Sequence, residues 1–285
     1  MRFSIVTPSY RSSSWLRLCI ASVSDQHVDL EHIVQDAGSD DGTLDWLLTD
    51  KRVRPFVEKD RGMYDALNRG FNRSNGDVLA WLNCDEQYLE GALSEVESWF
   101  TAHPESEVLF GDIVMTDPQG EYLFHRKVQV PLLHHTWTCH LSTLSCATFF
   151  RRSVFERCRF DPEWRDAGDG HWMVRLLRSG TRMGTLDQFT SVFTCTGANM
   201  SAGPNAKNEN RRLRATAPLW VQSLRPWFVA QHRLRRWMGR MYEQAPFSYS
   251  VYTSASPTQR ACRKVEVPRF RPEKQQTRTD TNERE

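Results

Sequence analysis

Short apolar segments alternate with amphipathic segments over the first 84 residues, and this alternation restricts the fold more than any other feature. The apolar segments are FSIVTPS (3–9), HIVQDAG (32–38), RPFVEKD (54–60) and VLAWLNC (78–84). Helical spacing occurs between them, over residues 15–23, 43–49 and 63–74. Strand and helix signals that alternate in this way are typical of a parallel sheet covered by helices. We therefore predict an α/β fold, with a hairpin over 108–127 and a helix over 169–180 further along the chain.

Each predicted strand ends in polar or charged residues. The four ends carry Thr7-Pro8, Asp36, Asp60-Arg61 and the group Asn83, Asp85 and Glu86. In a parallel α/β sheet, ligands bind beyond the carboxyl ends of the strands. We therefore expect these side chains to converge on one edge of the sheet and to form the binding site.

The adjacent acids Asp85 and Glu86 follow an apolar strand directly. Two carboxylates at the end of a buried strand are costly unless a positive charge lies beside them. Mg²⁺ and Mn²⁺ are commonly held by one or two carboxylates, with phosphate oxygens completing the coordination shell. The pair therefore indicates a divalent cation site, and a surface Asp-Glu pair in a turn is the alternative.

Several classes of protein are disfavoured because their signatures are missing from the sequence. No GxGxxG follows the first strand and no GxxxxGK[ST] occurs, which argues against a dinucleotide-dependent oxidoreductase and a P-loop NTPase. The net charge of +2 argues against nucleic-acid binding by the chain as a whole. The chain has no apolar run long enough to span a bilayer, and MRFSIVTPSY lacks the apolar region of a signal peptide. Seven cysteines without a CxxC pair indicate free thiols, so we expect a cytoplasmic protein.

Four stretches of the first 112 residues match a known family in its order and spacing. They are FSIVTPSYRSSSWLRLCIASVSDQ, EHIVQDAGSDDGT, EKDRGMYDALNRGFNRSNGDVLAWLNCDEQYLEGAL and LFGD. A looser match through ATFFRRSVFE, FDPEW and DGHWMVRL continues to about residue 180. With these stretches the chain resembles the family 2 inverting glycosyltransferases with the GT-A fold. It is most similar to the polysaccharide-biosynthesis branch typified by colanic-acid and O-antigen enzymes.

The resemblance implies an activity and a role for each matching residue. The activity is metal-dependent, inverting transfer of a sugar from a nucleotide donor, a UDP-sugar above all, to a glycan or polyprenyl-diphosphate-linked acceptor. The nucleotide-binding residues would be Thr7, Pro8, Tyr10, Asp36, Arg61, Asn68 and Asn83. Among them, Asp36 would bind the base edge and Arg61 the base or the diphosphate. Asn83 and Asp85 would occupy the family's DxD-like motif, and Asp85, with Glu86 beside it, would hold Mn²⁺ or Mg²⁺ against the diphosphate.

An inverting transfer also needs a carboxylate that takes the proton of the acceptor hydroxyl. The resemblance places this general base at Asp169, at the start of a helix, with Arg175 at the family's Arg position. The dipole of that helix would keep the carboxylate ionised. The alternative role for such an Asp is that of a helix N-cap, and the alternative bases are Asp166 and His171.

The sequence departs from the family pattern at three places. Glu86 replaces the usual second Asp, Gly168 replaces the acid before the general base, and Ser145-Cys146 replaces a frequent His-Gln. These departures leave open a second function, that of an inactive glycosyltransferase-like subunit that binds a glycan or a partner enzyme. A nucleotidyltransferase is disfavoured, because TPSYRSSS after the first strand contains no Gly and only one Arg.

The sequence after the predicted catalytic domain (1–198) changes in character. Residues 199–214 are polar and predict a flexible loop near the acceptor site, 215–265 predict a basic helical extension, and 266–285 predict a disordered tail. On a helical wheel, RPWFVAQHRLRRWMGRMYE (225–243) separates Trp227, Ala230, Leu234, Trp237, Met238 and Met241 from His232, Arg233, Arg235, Arg236 and Arg240. This separation is typical of a helix lying on an anionic membrane surface, here the inner face of the cytoplasmic membrane. The alternative is a helix packed on the catalytic domain with a solvated Arg face.

Overall fold

Three strand–helix repeats and a fourth strand form the first part of the fold. The computed structural model describes residues 1–197, 199 and 203–271. The strands are β1 (Phe3–Ser9), β2 (Leu30–Asp36), β3 (Arg54–Val57) and β4 (Val78–Trp81), and the helices are α1 (Ser13–Ser24), α2 (Thr43–Leu47) and α3 (Met63–Asn72). All seven elements lie where the periodicity of the sequence predicts them. The reason is burial, since nearly all apolar side chains of β1, β2 and β4 lie in the core.

The four strands are parallel and lie in the order β3-β2-β1-β4. Their register pairs Ser9 with Asp36 and Asp36 with Val57. The carboxyl ends of the strands therefore meet at one edge of the sheet, as predicted.

The second half of the sheet mixes parallel and antiparallel strands. Its strands are β5 (Glu86–Tyr88), β6 (Val108–Thr116), β7 (Tyr122–Arg126), β8 (Thr148–Arg151) and β9 (Met183–Thr194). The order continues as β4-β8-β6-β9-β5, and β7 pairs with β6 in the hairpin predicted over 108–127. Strand β9 lies between β6 and β5, which places the end of β9 beside the strand that follows Asp85.

Four helices cover this half of the sheet, and the last of them carries the proposed base. They are α4 (Ala92–Ala102), α5 (Leu133–Thr138), α6 (Arg152–Arg157) and α7 (Gly168–Arg178). Trp172 of α7 stacks on Phe160 with ring centroids 4.7 Å apart and meets Trp81 edge-on at 6.0 Å. Buried aromatic pairs of this kind add about 0.5–1.5 kcal/mol beyond the burial of their area. This aromatic contact fixes α7 against the end of β4.

The segment predicted as a flexible loop over 199–214 is largely helical. Helix α8 (Pro204–Ala215) begins with a proline at its first turn, a position that proline favours because its missing N–H needs no partner there. Ala206, Glu209 and Leu213 lie on one face of α8 and are buried. The polar composition concealed this narrow packed face, so the loop prediction was wrong for residues 204–214.

The extension predicted as helical over 215–265 is helical only as far as Met238. Helices α9 (Leu219–Ser223) and α10 (Arg225–Met238) are followed by a hairpin of β10 (Phe247–Thr253) and β11 (Ser256–Val265). Alternate residues of β10 are buried, which is the period of a strand and not of a helix. The hairpin is attached to α1 through Arg260 and Tyr252, both of which donate hydrogen bonds to Asp25.

No helix in the part of the chain that the structure describes is both long and apolar enough to cross a membrane. All seven cysteines are free, as their spacing predicts. Most of the predicted disordered tail, from residue 272 onward, lies outside the described residues.

Candidate active site

The ends of β1, β2 and β4 are joined by side-chain hydrogen bonds. The thiol of Cys84 donates to the carbonyl oxygen of Pro8 at 3.4 Å, which ties the turn after β4 to the end of β1. The hydroxyl of Ser9 donates to Asp36 Oδ2 at 2.8 Å, which ties β1 to β2. The predicted convergence of the strand ends is therefore confirmed by the structure.

Asp36 is fully buried and accepts four hydrogen bonds. Its Oδ1 accepts from the backbone N–H groups of Gly38 and Ser39 at 2.9 and 2.7 Å. Its Oδ2 accepts from the hydroxyls of Ser9 and Ser39, both at 2.8 Å. Gly38 has a φ of 92°, a left-handed conformation that glycine adopts without strain and that forms this turn. Asp36 thus organises the loop after β2, and a nucleotide base at this site would share its oxygens with these donors.

The other predicted nucleotide-binding residues of β1 differ in exposure. Thr7 is buried within the fold, where its hydroxyl lies 2.9 Å from His32 Nε2. Tyr10, just beyond the strand, is 53% exposed and lies against Arg11. Tyr10, but not the buried Thr7, therefore has a side chain that can contact a ligand directly.

The next loop presents Arg61 to solvent at the N-terminus of α3. Its side chain is 70% exposed, and its guanidinium lies 3.6 Å from Asp65 one turn into the helix. Arg61 lines an open cleft of about 950 Å³ together with Asp60, Gly62, Pro162, Glu163 and Arg165. By contrast, Asn68 uses both ends of its amide on the backbone of Phe160, at 2.8 and 3.1 Å. These contacts favour a structural role for Asn68 over contact with a nucleotide.

The two acids after β4 occupy different environments. Glu86 is 1% exposed, accepts the N–H of Asn83 at 2.8 Å and accepts the hydroxyl of Ser145 at 2.9 Å. Burial, together with the neighbouring charge of Asp85, raises the pKa of Glu86 to about 8. Glu86 is therefore protonated at neutral pH and directed into the protein.

Asp85 is the carboxylate that remains available to a cation. Its Oδ2 accepts a hydrogen bond of 3.2 Å from the side chain of Asn199, which also donates to the carbonyl of Thr194 at the end of β9. Burial raises the pKa of Asp85, and within the described residues no Lys or Arg forms an ion pair with it. A half-buried carboxylate with these surroundings fits a divalent cation. Among the described residues, no group of three His, Cys, Asp or Glu is arranged so that it could hold a metal ion, so a ligand such as a diphosphate would have to supply other oxygens.

Asp169 lies in the first turn of α7, as predicted. Its backbone N–H donates to the hydroxyl of Tyr64 at 2.9 Å, and its Oδ1 accepts the N–H of Gly170 at 2.8 Å. Tyr64 belongs to the first turn of α3, so this contact places the proposed base beside the loop that carries Arg61. Burial outweighs these hydrogen bonds and raises the pKa of Asp169, so the expected lowering by the helix dipole does not prevail. A raised pKa makes the ionised carboxylate a stronger base.

The alternative bases and the family's Arg position make other contacts. His171 stacks on Trp164 with ring centroids 4.7 Å apart, and its Nδ1 is 3.9 Å from Asp161. The backbone N–H of Asp166 is held by Glu209 at 2.9 Å. Arg175, at the family's Arg position, donates to the carbonyl of Arg159 at 2.8 Å.

In a comparison with family models, residues 4–159, more than half of the chain, match "Glycosyl transferase family 2". The chain belongs to glycosyl transferase family 2. This match contains the four parallel strands and both acids after β4. The family of this protein, as inferred from the motifs, is thereby confirmed.

A curated relative is a "PGL/p-HBAD biosynthesis glycosyltransferase" of Mycobacterium bovis, 30% identical over 164 residues. The match covers 54% of this chain and 60% of that relative, so this chain spans less than two thirds of the relative's length.

Two solved structures show the same fold at low sequence identity. One is Staphylococcus aureus TarS (residues 1–349) in complex with UDP-GlcNAc, with a TM-score of 0.60, 20% identity, and coverage of 84% of this chain and 73% of that one. The other is the mannosyltransferase PcManGT of Pyrobaculum calidifontis in complex with GDP-Man and Mn²⁺. Its TM-score is 0.54 at 16% identity, with coverage of 85% of this chain and 76% of that one. Both agree with the GT-A architecture of family 2.

Two departures from the family 2 pattern are explained by contacts. The long side chain of Glu86 reaches Ser145, which also differs from the family pattern. The hydroxyl of Ser145 donates a hydrogen bond to Glu86, so the two departures are linked. At Gly168, a Cβ would lie 2.5 Å from the ring of Tyr64, so an acid cannot occupy this position beside that tyrosine.

Sequence reasoning missed three residues that shape the site, namely Tyr64, Asn199 and Glu209. Glu209 of α8 accepts the backbone N–H groups of Arg165, Asp166 and Ala167 at 2.8–2.9 Å. These N–H groups belong to the residues immediately before α7, so Glu209 holds the chain segment that leads into the helix of Asp169. The sequence signal that could have identified Glu209 is the helical spacing of Ala206, Glu209 and Leu213, three residues that the structure shows to be buried on one face of α8.

Proposed function

We propose that this protein transfers a sugar, with inversion, from a UDP-sugar to a glycan or lipid-linked glycan in the synthesis of a cell-surface polysaccharide. The single observation that carries the proposal is the half-buried carboxylate of Asp85, which lacks a cationic partner among the described residues and lies at the edge formed by β1, β2 and β4. Residues 1–198 are the proposed catalytic domain. The TarS complex with UDP-GlcNAc supports a UDP-sugar as donor, and the polysaccharide branch rests on the motifs quoted above.

The proposed donor site has three parts. The loop organised by Asp36, together with the ring of Tyr10, receives the nucleoside. Arg61, which is largely exposed, lies where its guanidinium can pair with the base or the diphosphate. Asp85 would hold Mn²⁺ or Mg²⁺, and the Mn²⁺ complex of PcManGT supports this cofactor. Such a cation, when bound, stabilises the negative charge of the departing nucleoside diphosphate.

In the proposed reaction, ionised Asp169 accepts the proton of the acceptor hydroxyl as that oxygen attacks the anomeric carbon. The bond from the anomeric carbon to the diphosphate breaks, and its electron pair leaves with the nucleoside diphosphate. Tyr64 fixes the first turn of α7, and Glu209 fixes the residues before it, so neither has to touch the substrate. Glu86 is directed away from the cation in this assignment, because both of its oxygens bind protein donors.

The acceptor is proposed to reside at the inner surface of the cytoplasmic membrane. Helices α9 and α10 expose large apolar side chains without a covering element, and we call this set the α9–α10 apolar surface. Its members are Leu219, Trp220, Leu224, Trp227, Leu234, Trp237 and Met238, with exposures from 48% to 81%. A patch of this kind is unusual on a soluble monomer and marks an interaction site.

The charge around this surface selects an anionic partner. Residues 203–243 contain nine Lys or Arg and only two acids, one of which is the buried Glu209, although the whole chain has a net charge of only +2. Exposed Arg233 lies beside Leu234 on α10, and Arg240, which pairs with Glu243, follows the end of the helix. Trp and Leu flanked by Arg suit the headgroup region of an anionic bilayer.

α10 packs on the domain through Phe228 and His232, which are buried, while Trp237 is 69% exposed. The predicted Trp/Met face is therefore not the face that packs. The exposure of Trp237 supports the membrane-surface role over that of a helix packed on the catalytic domain with a solvated Arg face.

The experiment that tests the donor site is calorimetric titration with UDP, GDP, TDP and CMP, each with and without Mn²⁺. We expect Mn²⁺-dependent binding of UDP that Asp85→Asn abolishes and Glu86→Gln retains. Binding without turnover of any nucleotide sugar would favour the inactive-subunit function. Absence of binding by folded protein would contradict the proposal.

A further inference from the structure

The turn after β1 contains a residue with strained backbone. Arg11 has a φ of 49°, in the left-handed region that residues other than glycine rarely adopt. Among the described residues, Arg11, His27 and Arg240 are the non-glycine residues with a positive φ, and of these three Arg11 is the one in the turn after β1. Strained backbone persists only where surrounding contacts hold it, and it is concentrated at functional sites. Arg11 must therefore be fixed by its neighbours.

The backbone of Arg11 is tied to the loop after β2. Its N–H donates to the hydroxyl oxygen of Ser39 at 2.8 Å, and the same hydroxyl donates to Asp36 Oδ2 at 2.8 Å. Close by, the N–H of Ala37 donates to the carbonyl oxygen of Ser9 at 2.9 Å. The turn after β1 and the loop after β2 are therefore one hydrogen-bonded unit that is centred on Asp36.

The side chain of Arg11 is fixed by the same loop. Its Nε and Nη2 donate to the two carboxylate oxygens of Asp40 at 2.6 and 2.7 Å, in the bidentate geometry that orients an Arg–carboxylate pair. The two side chains are 54% and 65% exposed, and an exposed ion pair contributes little to stability by itself. The main effect of the pair is therefore to orient the guanidinium group of Arg11.

This guanidinium group lies over the ring of Tyr10, 5.1 Å from the ring centroid. Tyr10 is 53% exposed, and within the described residues its hydroxyl forms no hydrogen bond and its ring stacks on no other aromatic ring. An exposed side chain without such contacts would exchange between rotamers. Arg11 therefore restrains a ring that would otherwise be mobile.

We infer that Arg11, held by Asp40, is a positioning residue that presents the ring of Tyr10 to the base of the donor nucleotide. The inference rests on the proposed donor site, in which Tyr10 receives the nucleoside. Stacking on an aromatic ring contributes to the affinity for a base, and a ring that is ordered beforehand loses less freedom when the base binds. The cation covers one face of the ring and leaves the other face for the base.

A positioning role and a direct contact with the diphosphate differ in the effect of removing Asp40. If Arg11 bound the diphosphate directly, Asp40→Asn would free its guanidinium group, and the affinity for UDP would stay the same or increase. If Arg11 acts through Tyr10, Asp40→Asn weakens UDP binding as the loss of Arg11 does. Tighter binding of UDP by Asp40→Asn would therefore contradict the inference.

The test is calorimetric titration of the full chain with UDP and Mn²⁺. Asn tolerates the left-handed conformation, so Arg11→Asn should keep the melting temperature of the wild type. We expect its Kd for UDP to rise about fivefold, and that of Asp40→Asn to rise by a similar factor. The matched control is Arg17→Gln, which removes an exposed guanidinium group from the ring of Trp46 and should leave the Kd unchanged. An unchanged Kd in folded Arg11→Asn, or an equal rise in the control, would overturn the inference.

Inorganic diphosphate with Mn²⁺ separates the contribution of the base from that of the phosphates. This ligand has no base that could stack on Tyr10, so Arg11→Asn and the wild type should bind it with the same Kd. Equal losses of affinity for UDP and for inorganic diphosphate would show that Arg11 acts on the charge of the ligand, and would exclude the positioning role.

The order of the Tyr10 ring is measured in the free protein by fluorine NMR after incorporation of meta-fluorotyrosine. The Tyr10 signal, assigned by its loss in Tyr10→Phe, should shift in Arg11→Asn and Asp40→Asn but not in Arg17→Gln. An identical Tyr10 signal in all of these proteins would contradict the contact, with no nucleotide or Mn²⁺ present. Absence of UDP binding by the folded wild type would overturn the donor site together with this role of Arg11, whereas UDP binding that Arg11→Asn leaves unchanged would overturn the inference alone.

Discussion

The hydroxyl of Tyr64 accepts a hydrogen bond of 2.9 Å from the backbone N–H of Asp169, across 105 residues of sequence. This bond joins the first turn of α3 to the first turn of α7. Because α3 follows the loop that carries Arg61, the proposed donor and acceptor sides of the reaction are held together at this point.

Tyr64→Phe removes that acceptor and leaves the ring in place. We expect kcat to fall roughly fivefold to tenfold with little change in the KM for the donor, because an N–H of α7 loses its partner while the strand ends stay intact. Steady-state kinetics measures both constants. A large increase in donor KM at unchanged kcat would place Tyr64 in donor binding.

Asp169→Asn should bind UDP and Mn²⁺ like the wild type, but its turnover rate should fall by about 10²–10⁴-fold. Because the base must be ionised and burial raises its pKa, the wild-type rate should rise with pH through that raised pKa and then level off. The pH profile of kcat tests this directly. Full activity of Asp169→Asn would refute the assignment, and Asp166→Asn is the matched control.

Glu86→Gln should stabilise the metal-free protein at high pH. A carboxyl whose pKa is raised to about 8 in the folded state binds its proton more tightly there than when unfolded. Stability is therefore lost as the pH rises from the unfolded pKa toward 8. The variant should be more stable by about 1 kcal/mol or more at pH 8 and nearly unchanged at pH 4. Urea unfolding in EDTA measures this difference, and equal curves at both pH values would contradict it.

Glu209→Gln should weaken both the fold and the turnover. Burial alone would raise the pKa of Glu209, but the N–H donors of residues 165–167 outweigh it and lower the pKa. The stabilisation is present above the unfolded pKa and is lost as the pH falls through the lower folded value. At pH 7 we expect a loss of about 1–3 kcal/mol, because one charged acceptor serves three donors. Unfolding curves at pH 7 and pH 3 should differ between variant and wild type at the higher pH only.

Trp237→Ala combined with Leu234→Ala should reduce binding to vesicles that contain phosphatidylglycerol. Each side chain would lose on the order of 1.5–3 kcal/mol of apolar burial in the bilayer, so cosedimentation should fall at least tenfold. The matched control is Leu48→Ala, which removes a similarly exposed leucine of the catalytic domain. Equal binding of the double variant and the control would exclude the α9–α10 apolar surface as the contact.

The sequence predicted the elements whose periodicity is regular. Strands β1–β4 and their helices follow from alternating apolar runs, and the polar strand ends converge because parallel strands end at one edge. The family and its fold followed from motifs in this same region.

The errors arose where tertiary contacts outweigh local composition. The sequence of helix α8 predicts a polar loop because only three of its side chains are buried. The hairpin of β10 and β11 depends on contacts with the end of α1, far away in the sequence. The environments of Glu86 and Asp169 could not be predicted either, since burial by distant elements sets their pKa values. A pair of adjacent acids in a sequence does not reveal that one of them points inward.

The position of β9 in the sheet has a practical consequence for anyone who expresses part of this protein. The family match ends at residue 159, but β9 (Met183–Thr194) lies between β6 and β5. A fragment cut at the end of the match would leave both neighbouring strands with unpaired backbone groups, which favours aggregation. The smallest soluble unit should therefore extend beyond β9, and a shortened gene designed from the family boundary alone should yield insoluble protein.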